Sequence, residues 1–220
     1  MNEFLDREAA IRDRRVQYET AGLEVADVST DPIEQWHRWH EDALTAGVVE
    51  PNAMTVSTVD VHGAPDARIL LARAVDRFGF VFYTNYESTK SRQLNARPVA
   101  AATFGWLDLH RQVRVRGTVE RVGDDESDAY FASRPRDSQI GAWASPQSAV
   151  IADRAELDRL VETQRLAFGD ADRIRRPAHW GGWRLVPHEF EFWQGRPNRL
   201  HDRIHYQLVD GRWRLQRLAP

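Results

Sequence analysis

Residues 53–86 read AMTVSTVDVHGAPDARILLARAVDRFGFVFYTNY, and the period of this stretch decides the fold. Apolar and polar side chains alternate with a repeat of two, the pattern of strands that bury one face. Turn residues interrupt the alternation at His62-Gly63 and from Asp76 to Gly79, which predicts hairpin-connected strands over AMTVSTVD, DARILLARAV and GFVFYTNY. Beyond them a short helix near Ser88 to Ala96 is broken by Pro98, and two further strands follow, VAAATFGW and RQVRVRGTVERV. In the second of these, Val113, Val115, Gly117 and Val119 alternate with Gln112, Arg114, Arg116 and Thr118. The sheet therefore has at least five strands.

Upstream, residues 3–20 read as a charged helix that ends near Gly22. A second helix starts with Asp31 as N-cap, Pro32 at its first position and Glu34 completing a capping box. Its inward face is expected to carry Ile33, Trp36, Trp39 or His40, and Leu44, and Gly47 stops it. Downstream, Asp124 to Ser133 and Arg154 to Phe168 are helical by pattern. Arg175-Arg176-Pro177 then opens a last β section with GGWRLVP, HEFEFWQ, RIHYQLV and GRWRLQR, the final pair joined by a turn at Asp210-Gly211. Closely spaced antiparallel strands with appended helices predict a mainly β chain, a barrel with peripheral helices rather than a doubly wound sheet. A single domain is expected over 1–220: N-terminal helices to 50, the main barrel strands over 51–122, a helical segment over 123–174 and C-terminal strands over 175–220.

The totals narrow the function classes. With 30 basic against 33 acidic residues and a net charge of −3, no global field attracts nucleic acid. The absence of cysteine excludes disulfides, thiolate catalysis and Cys-ligated metal, so redox chemistry would require a cofactor. No apolar run reaches the ~18 residues of a membrane span, and the amino terminus lacks the apolar core of a secretory signal. A cytoplasmic protein without membrane partners is expected.

Two runs concentrate polar chemistry among aromatic rings: RPRDSQIGAWASPQS at 134–148 and EFWQGRPNRLHDR at 191–203. Both suit anions lying beside flat apolar walls. Ser88-Thr89-Lys90 stands where a strand meets a helix N-terminus, either a phosphate cradle or an ordinary cap with a solvated lysine. Arg68 and Arg73 bracket ILLA in a strand that looks buried, so each guanidinium needs an anionic partner, a ligand or a carboxylate. Strict alternation points them to opposite faces, and sharing one ligand would require a bulge, a strand end or a second subunit. Arg114 and Arg116 read as a solvated or salt-bridged sheet surface. Tyr130 and Arg134, four apart on a helix, can approach one ligand or each other. His201, between Arg199 and Arg203, could exchange protons with a ligand or be structural. His37 and His40 lack a metal motif, and no metal is expected. There is no GxGxxG, GxxxxGK[ST] or GxSxG signature.

Taken in order, EPNAM at 50–54, RILLAR at 68–73, FYTNY at 82–86, RQVRVRG at 111–117, YFASRPRDSQIGAWASPQS at 130–148, WGG at 180–182, EFWQG at 191–195, RLHDR at 199–203 and the terminal RLAP resemble the pyridoxine/pyridoxamine 5′-phosphate oxidase family. The resemblance implies an FMN-binding split β-barrel that forms a homodimer with FMN at the subunit interface. It implies oxidation of pyridoxine 5′-phosphate or pyridoxamine 5′-phosphate to pyridoxal 5′-phosphate, with O2 as acceptor and hydrogen peroxide as by-product. It places FMN against Arg68, Ile69, Leu70, Leu71, Arg73, Tyr83, Thr84, Thr89, Lys90, Gln112, Gln147, Ser148, Trp193 and Arg203. The phosphorylated vitamer falls to Arg15, Tyr18, Arg73, Tyr130, Arg134, Ser138, Arg199 and His201, the last two beside the reacting carbon. Two positions depart from the family pattern: Arg73 replaces a lysine, and Thr89 replaces an arginine, a lost charge that Arg92 on the same helix could offset. A phenazine-pathway-like FMN oxidoreductase and a non-catalytic FMN or pyridoxal-phosphate-binding protein are the alternatives.

Overall fold

A computed structural model describes Tyr18 and residues 20–220. The expected helix over 3–20 and the candidate ligand Arg15 lie outside the described residues, Tyr18 and Thr20 apart. The first described helix, α1 (Pro32–Thr45), begins as expected, with the Asp31 side chain accepting from the N–H of Ile33 at 2.8 Å. The capping box does not form. Glu34 accepts instead from the Ser29 hydroxyl and from Arg38, while Ser29 Oγ takes the Asp31 N–H at 3.2 Å, so a nearer hydroxyl displaces the carboxylate. Ile33, Trp36, Trp39 and Ala43 face inward, and Leu44 is 50% exposed. Position 43 continues the i, i+4 stripe from Trp39, whereas 44 rotates off it.

Strands β1 (Ala53–Val59), β2 (Pro65–Leu71), β3 (Ala74–Asp76), β4 (Gly79–Asn85), β5 (Val99–Trp106), β6 (Arg111–Arg121), β7 (Trp180–Gln194), β8 (Asp202–Val209) and β9 (Arg212–Arg217) form one antiparallel sheet. Its order is β2-β1-β5-β6-β7-β4-β3, with β8 added on β7 and β9 on β8. The stretch expected as one strand, DARILLARAV, divides here into β2 and β3, which occupy the two ends of this order. At the division the Ala72 N–H bonds Asn52 O at 2.9 Å and the Arg73 N–H bonds Val81 O at 2.8 Å, so the chain changes partner strand within two residues. The edges of the sheet meet there and the sheet curls into a barrel.

The segments GGWRLVP and HEFEFWQ, expected as two strands, form the single 15-residue β7. Pro187, which suggested a break, sits at a bulge opposite Gly117, where the register against β6 shifts. A Cβ at Gly117 would lie 2.0 Å from Val186 O, so glycine alone fits this crossing. Before the bulge β7 pairs with β4, and after it with β8.

Phe80, Phe82, Phe104, Trp106, Phe190 and Phe192 fill the barrel, and α1 closes one end with Trp36 against Phe104 and Trp39 against Phe192, both at 5.2 Å. Helix α2 (Thr89–Ala96) follows β4. A smaller core of Phe131, Ile140, Ile174 and Trp180 lies under α3 (Asp124–Ser133), α4 (Arg136–Ala144) and α5 (Arg154–Phe168). Helix α4 was not expected, because only Ile140 and Ala144 on it are buried and its polar run carries no apolar stripe. Among the described residues no helix is long and apolar enough to cross a membrane.

Candidate functional site

Strand β4 carries Tyr83 and Thr84 to the point where α2 begins. Ser88 is the N-cap, but its hydroxyl donates to Asn85 O at 2.7 Å, and no side chain caps the first N–H groups of α2. These groups and the helix dipole favour an anion. Lys90 folds beneath them and is 8% exposed. Its Nζ donates to Thr84 Oγ1 at 3.2 Å, Ser88 Oγ at 3.3 Å and Gln147 Oε1 at 3.2 Å, all neutral acceptors, and among the described residues it pairs with no carboxylate. Burial, with Arg68 nearby, pulls its pKa down to about 8. A buried ammonium among neutral oxygens favours a counter-anion, and the solvated-lysine reading fails. Lys90 is also the one lysine in the sequence.

Arg68 projects toward the same region from β2, but it arrives neutralised by Asp66 at 2.5 Å and donates to Thr58 Oγ1 at 2.6 Å. Arg73, past the division between β2 and β3, lines a cavity of ≈ 350 Å³ with Ile69, Leu70, Leu71, Tyr83, Thr84, Tyr130, Arg134, Gln147 and Trp180. The strand end thus removes the alternation constraint, and the two arginines flank one region. Ser138 lines an adjoining cavity of ≈ 250 Å³, which Arg134, Gln147 and Trp180 also border.

Between these cavities the rings are layered. Tyr130 stacks on Tyr83 at 3.8 Å and 13°, and Tyr83 lies at 5.6 Å and 12° from Trp180. Burial, with Glu126 adding to it, pushes the Tyr83 hydroxyl up to about 12, so it stays protonated. Arg134 leaves the end of α3 with its guanidinium carbon 4.6 Å from the Trp180 ring centroid. Its Nη1 is buried without a hydrogen-bond partner among the described residues. A desolvated cation on an indole face recovers ~2 kcal/mol, less than the several kcal/mol an unpaired buried charge costs. Burial correspondingly lowers the Arg134 pKa, with Arg73 adding to the effect. The geometry asks for an anion. A larger groove, ≈ 810 Å³, lies by Asp124, Asp128 and Arg176, but Arg176 is already bound to both aspartates there.

A second cluster occupies the far end of β7. Gln112, Trp193 and Arg203 are direct register partners across β6, β7 and β8, so they share one face. The His201 ring lies 4.6 Å from Trp193, and Tyr18 lies 6.3 Å from the same indole. Tyr18, His110, Gln112 and Trp193 line a cavity of ≈ 660 Å³. Arg203 is held by Glu191 through two bonds of 3.0 Å, which raise its pKa, so it presents a paired guanidinium. Arg114 joins the same Glu191 and Arg116 pairs with Glu189, the salt-bridged surface expected of them. His201 Nδ1 accepts the Arg196 N–H at 3.1 Å, and burial and Arg199 lower its pKa. The neutral ring therefore carries its proton on Nε2. Arg199 is exposed, at φ 61°. Ser148 and Thr89 line none of these cavities; Ser148 is exposed, at φ 70°.

One chain thus brings the Arg73, Thr84, Lys90, Tyr130, Arg134, Ser138 and Gln147 positions together, and separately Tyr18, Gln112, Trp193, His201 and Arg203. Trp180 and Glu191 belong to these clusters and were not singled out by residue chemistry. The WGG triplet was the one signal that pointed to Trp180.

A family model described as pyridoxamine 5′-phosphate oxidase matches residues 40–166, and one described as the pyridoxine 5′-phosphate oxidase C-terminal dimerisation region matches 180–220. A pyridoxine/pyridoxamine 5′-phosphate oxidase of Ralstonia pickettii is 53% identical over 212 residues, 96% of this chain and 99% of the relative. PhzG from Burkholderia lata, solved in complex with tetrahydrophenazine-1-carboxylic acid, has a TM-score of 0.86 at 29% identity and covers 93% of this chain and 100% of its own. A pyridoxamine 5′-phosphate oxidase-related, FMN-binding protein from Nostoc punctiforme shares the fold at a TM-score of 0.67 and 18% identity, over 84% of this chain and 97% of its own.

Proposed function

The chain belongs to the pyridoxamine 5′-phosphate oxidase family, and from that footing we propose that it oxidises pyridoxine 5′-phosphate or pyridoxamine 5′-phosphate to pyridoxal 5′-phosphate with FMN as cofactor. The observation that carries this reading is a pair of cations, buried Lys90 and half-buried Arg134, that have no counter-anion among the described residues. Gln147 touches the first and lines both cavities of the second. Two such cations fit two phosphate monoesters, one on a cofactor and one on a substrate.

Lys90, Thr84, Gln147 and the uncapped turn of α2 would hold the FMN phosphate, with Arg68 beside them. Gln112, Trp193 and Arg203 would meet the flavin ring. Bound flavin supplies the hydride acceptor, and O2 restores it with release of hydrogen peroxide. Tyr130, Arg134, Ser138 and Arg73 fix the substrate phosphate, so that binding energy is used to place C4′. Arg199 and His201 orient the substituent on that carbon. Because the Arg196 N–H occupies His201 Nδ1, the neutral ring offers Nε2–H as a donor, which favours positioning over proton abstraction.

The two clusters sit on either side of the β7 bulge. Gly182, which faces Tyr83, and Trp193 are roughly 36 Å apart along the strand at ~3.3 Å per residue. A second copy would bring one chain's phosphate cluster to the other's Trp193 cluster, in keeping with the dimerisation region matched over 180–220.

The reading is tested by adding pyridoxine 5′-phosphate to the purified yellow protein under air and following aldehyde and peroxide together. Equimolar formation of both is expected. Peroxide formed only with a dihydrophenazine carboxylate would replace the vitamin reading with a phenazine one. Tight binding of both phosphates without turnover would make the protein a carrier.

A further inference from the structure

Arg134 is fixed by what lies beneath it. Among the described residues its Nη1 has no hydrogen-bond partner, and the Trp180 ring centroid lies 4.6 Å from the guanidinium carbon, nearer than that of Phe131 at 5.7 Å. Trp180 is 6% exposed and rests edge-on against Phe131 at 5.2 Å. Its ring is parallel to Tyr130 within 2° and to Tyr83 within 12°. One indole thus lies parallel to Tyr130, which stacks directly on Tyr83 at 3.8 Å, and beneath Arg134, the two side chains that face the cavity from α3. The backbone around it is built for this purpose. Tyr83 can lie flat on β7 because its register partner is Gly182, where a Cβ would come within 2.8 Å of the Tyr83 ring. The Trp180 carbonyl accepts from Arg176 at 2.6 Å, which ties that end of β7 to the acidic start of α3 through Asp124.

We propose that Trp180 is the positioning residue of the substrate-phosphate clamp. Its indole face supports the Arg134 guanidinium from below, and the part of the fork that is not buried faces the two cavities, where a phosphate oxygen would meet it. On the oxidase reading above, the anion is the monoester of the pyridine substrate. A guanidinium binds a phosphate through its edge, so a flat rest against its face fixes orientation without consuming a donor. A flexible aliphatic floor would leave the same charge in place but let the fork rotate, and affinity would fall while the chemistry stayed intact. Trp180 makes no contact with the reacting atoms in this role.

The test uses the flavin-loaded protein with Trp180→Leu and Trp180→Phe. The leucine variant is expected to raise KM for pyridoxine 5′-phosphate about tenfold, with kcat within about twofold and FMN affinity unchanged. Its affinity for inorganic phosphate, measured by competition, should fall in parallel. The phenylalanine variant, which keeps an aromatic face, should recover most of the loss. Unchanged KM and phosphate affinity in Trp180→Leu would overturn the proposal. So would a variant in which KM, kcat and FMN affinity all collapse and phenylalanine restores none of them, since that is the signature of a fold-supporting tryptophan. Should the wild type bind phosphate with this dependence on Trp180 but oxidise no pyridine substrate, the clamp would stand and the oxidase reading would fall.

Discussion

The Lys90 ammonium donates to Gln147 Oε1 at 3.2 Å and thereby ties the start of α2 to the loop beyond α4. The bond joins the two halves of the chain around a charge that has no carboxylate partner among the described residues. Without ligand the Lys90 pKa lies at about 8, lowered by burial first and by Arg68 second. A phosphate dianion needs the protonated form, so FMN affinity of the flavin-free protein should be level below pH 8 and decline by up to about tenfold per pH unit above it. Riboflavin, which has no phosphate, should show no such decline. For stability the sign is opposite. The folded pKa lies below the unfolded value of ~10.4, so the unfolded chain binds more protons between the two, and the ligand-free protein should gain stability from pH 8 upward. Fluorescence titration of flavin across pH 6.5–9.5 and urea midpoints over the same range check both; a flat FMN profile would show that Lys90 is not a phosphate ligand.

Helix α2 carries a second cation at its entrance. Arg92 Nη2 lies 3.2 Å from Thr89 Oγ1, and its Nη1 donates to Glu87 O, which folds the guanidinium over the first turn. Among the described residues it pairs with no carboxylate. On the proposed FMN reading, Arg92 would supply from one turn along the charge that Thr89 lacks. Arg92→Ala should weaken FMN about tenfold, the worth of one charge-assisted bond, and leave riboflavin unaffected. Thr89→Arg should restore FMN binding in the Arg92→Ala background and add less in the wild type. Equal losses for FMN and riboflavin would assign Arg92 to helix stability instead.

The parts of this arrangement legible in sequence were those set by local period and turn chemistry. The alternation of β1, β5 and β6, the Asp31 cap and the Asp210-Gly211 turn are properties of a few neighbouring residues, whereas β4 departs from the expected alternation because it is buried on both faces. The Ala72–Arg73 division was invisible because its cause is the exchange of Asn52 for Val81 as hydrogen-bond partner, a long-range event in a run that alternates smoothly. Pro187 misled in the opposite direction, since a bulge absorbs it. At Lys90 the residues alone left a phosphate cradle and a solvated cap both open, because the contact with Gln147 that helps enclose it comes from far along the chain. The paired state of Arg203 depends on Glu191, which sequence spacing alone did not connect to it.

Gly182 faces Tyr83, and a Cβ there would stand 2.4 Å from Val122 Cγ2 and 2.8 Å from Tyr83 Cε1. Gly182→Ala should therefore cost ~1–3 kcal/mol of stability through overpacking. Displacing Tyr83 would also disturb its 3.8 Å stack on Tyr130, so KM for the phosphorylated substrate should rise more than kcat falls. Urea denaturation and near-UV circular dichroism report the two effects separately. An alanine variant with wild-type midpoint would mean that β4 and β7 separate more readily than the packing implies.

Separation of the two clusters along β7 makes a prediction about assembly. Lys90→Ala removes the phosphate cluster's cation and Trp193→Ala removes the ring that faces Gln112 and Arg203; each variant alone should be nearly inactive. If every site is built from one chain's Lys90 cluster and its partner's Trp193 cluster, a mixed dimer of the two variants contains one intact site and one doubly damaged site. Random pairing makes half the dimers mixed, so co-expressed or refolded mixtures should recover about a quarter of wild-type activity. A site contained within one chain gives no recovery, because every chain then carries a lesion in its own site. Activity of the mixture, measured against each variant alone at equal protein, separates the two geometries, and tandem purification with two affinity tags raises the expected recovery to about one half.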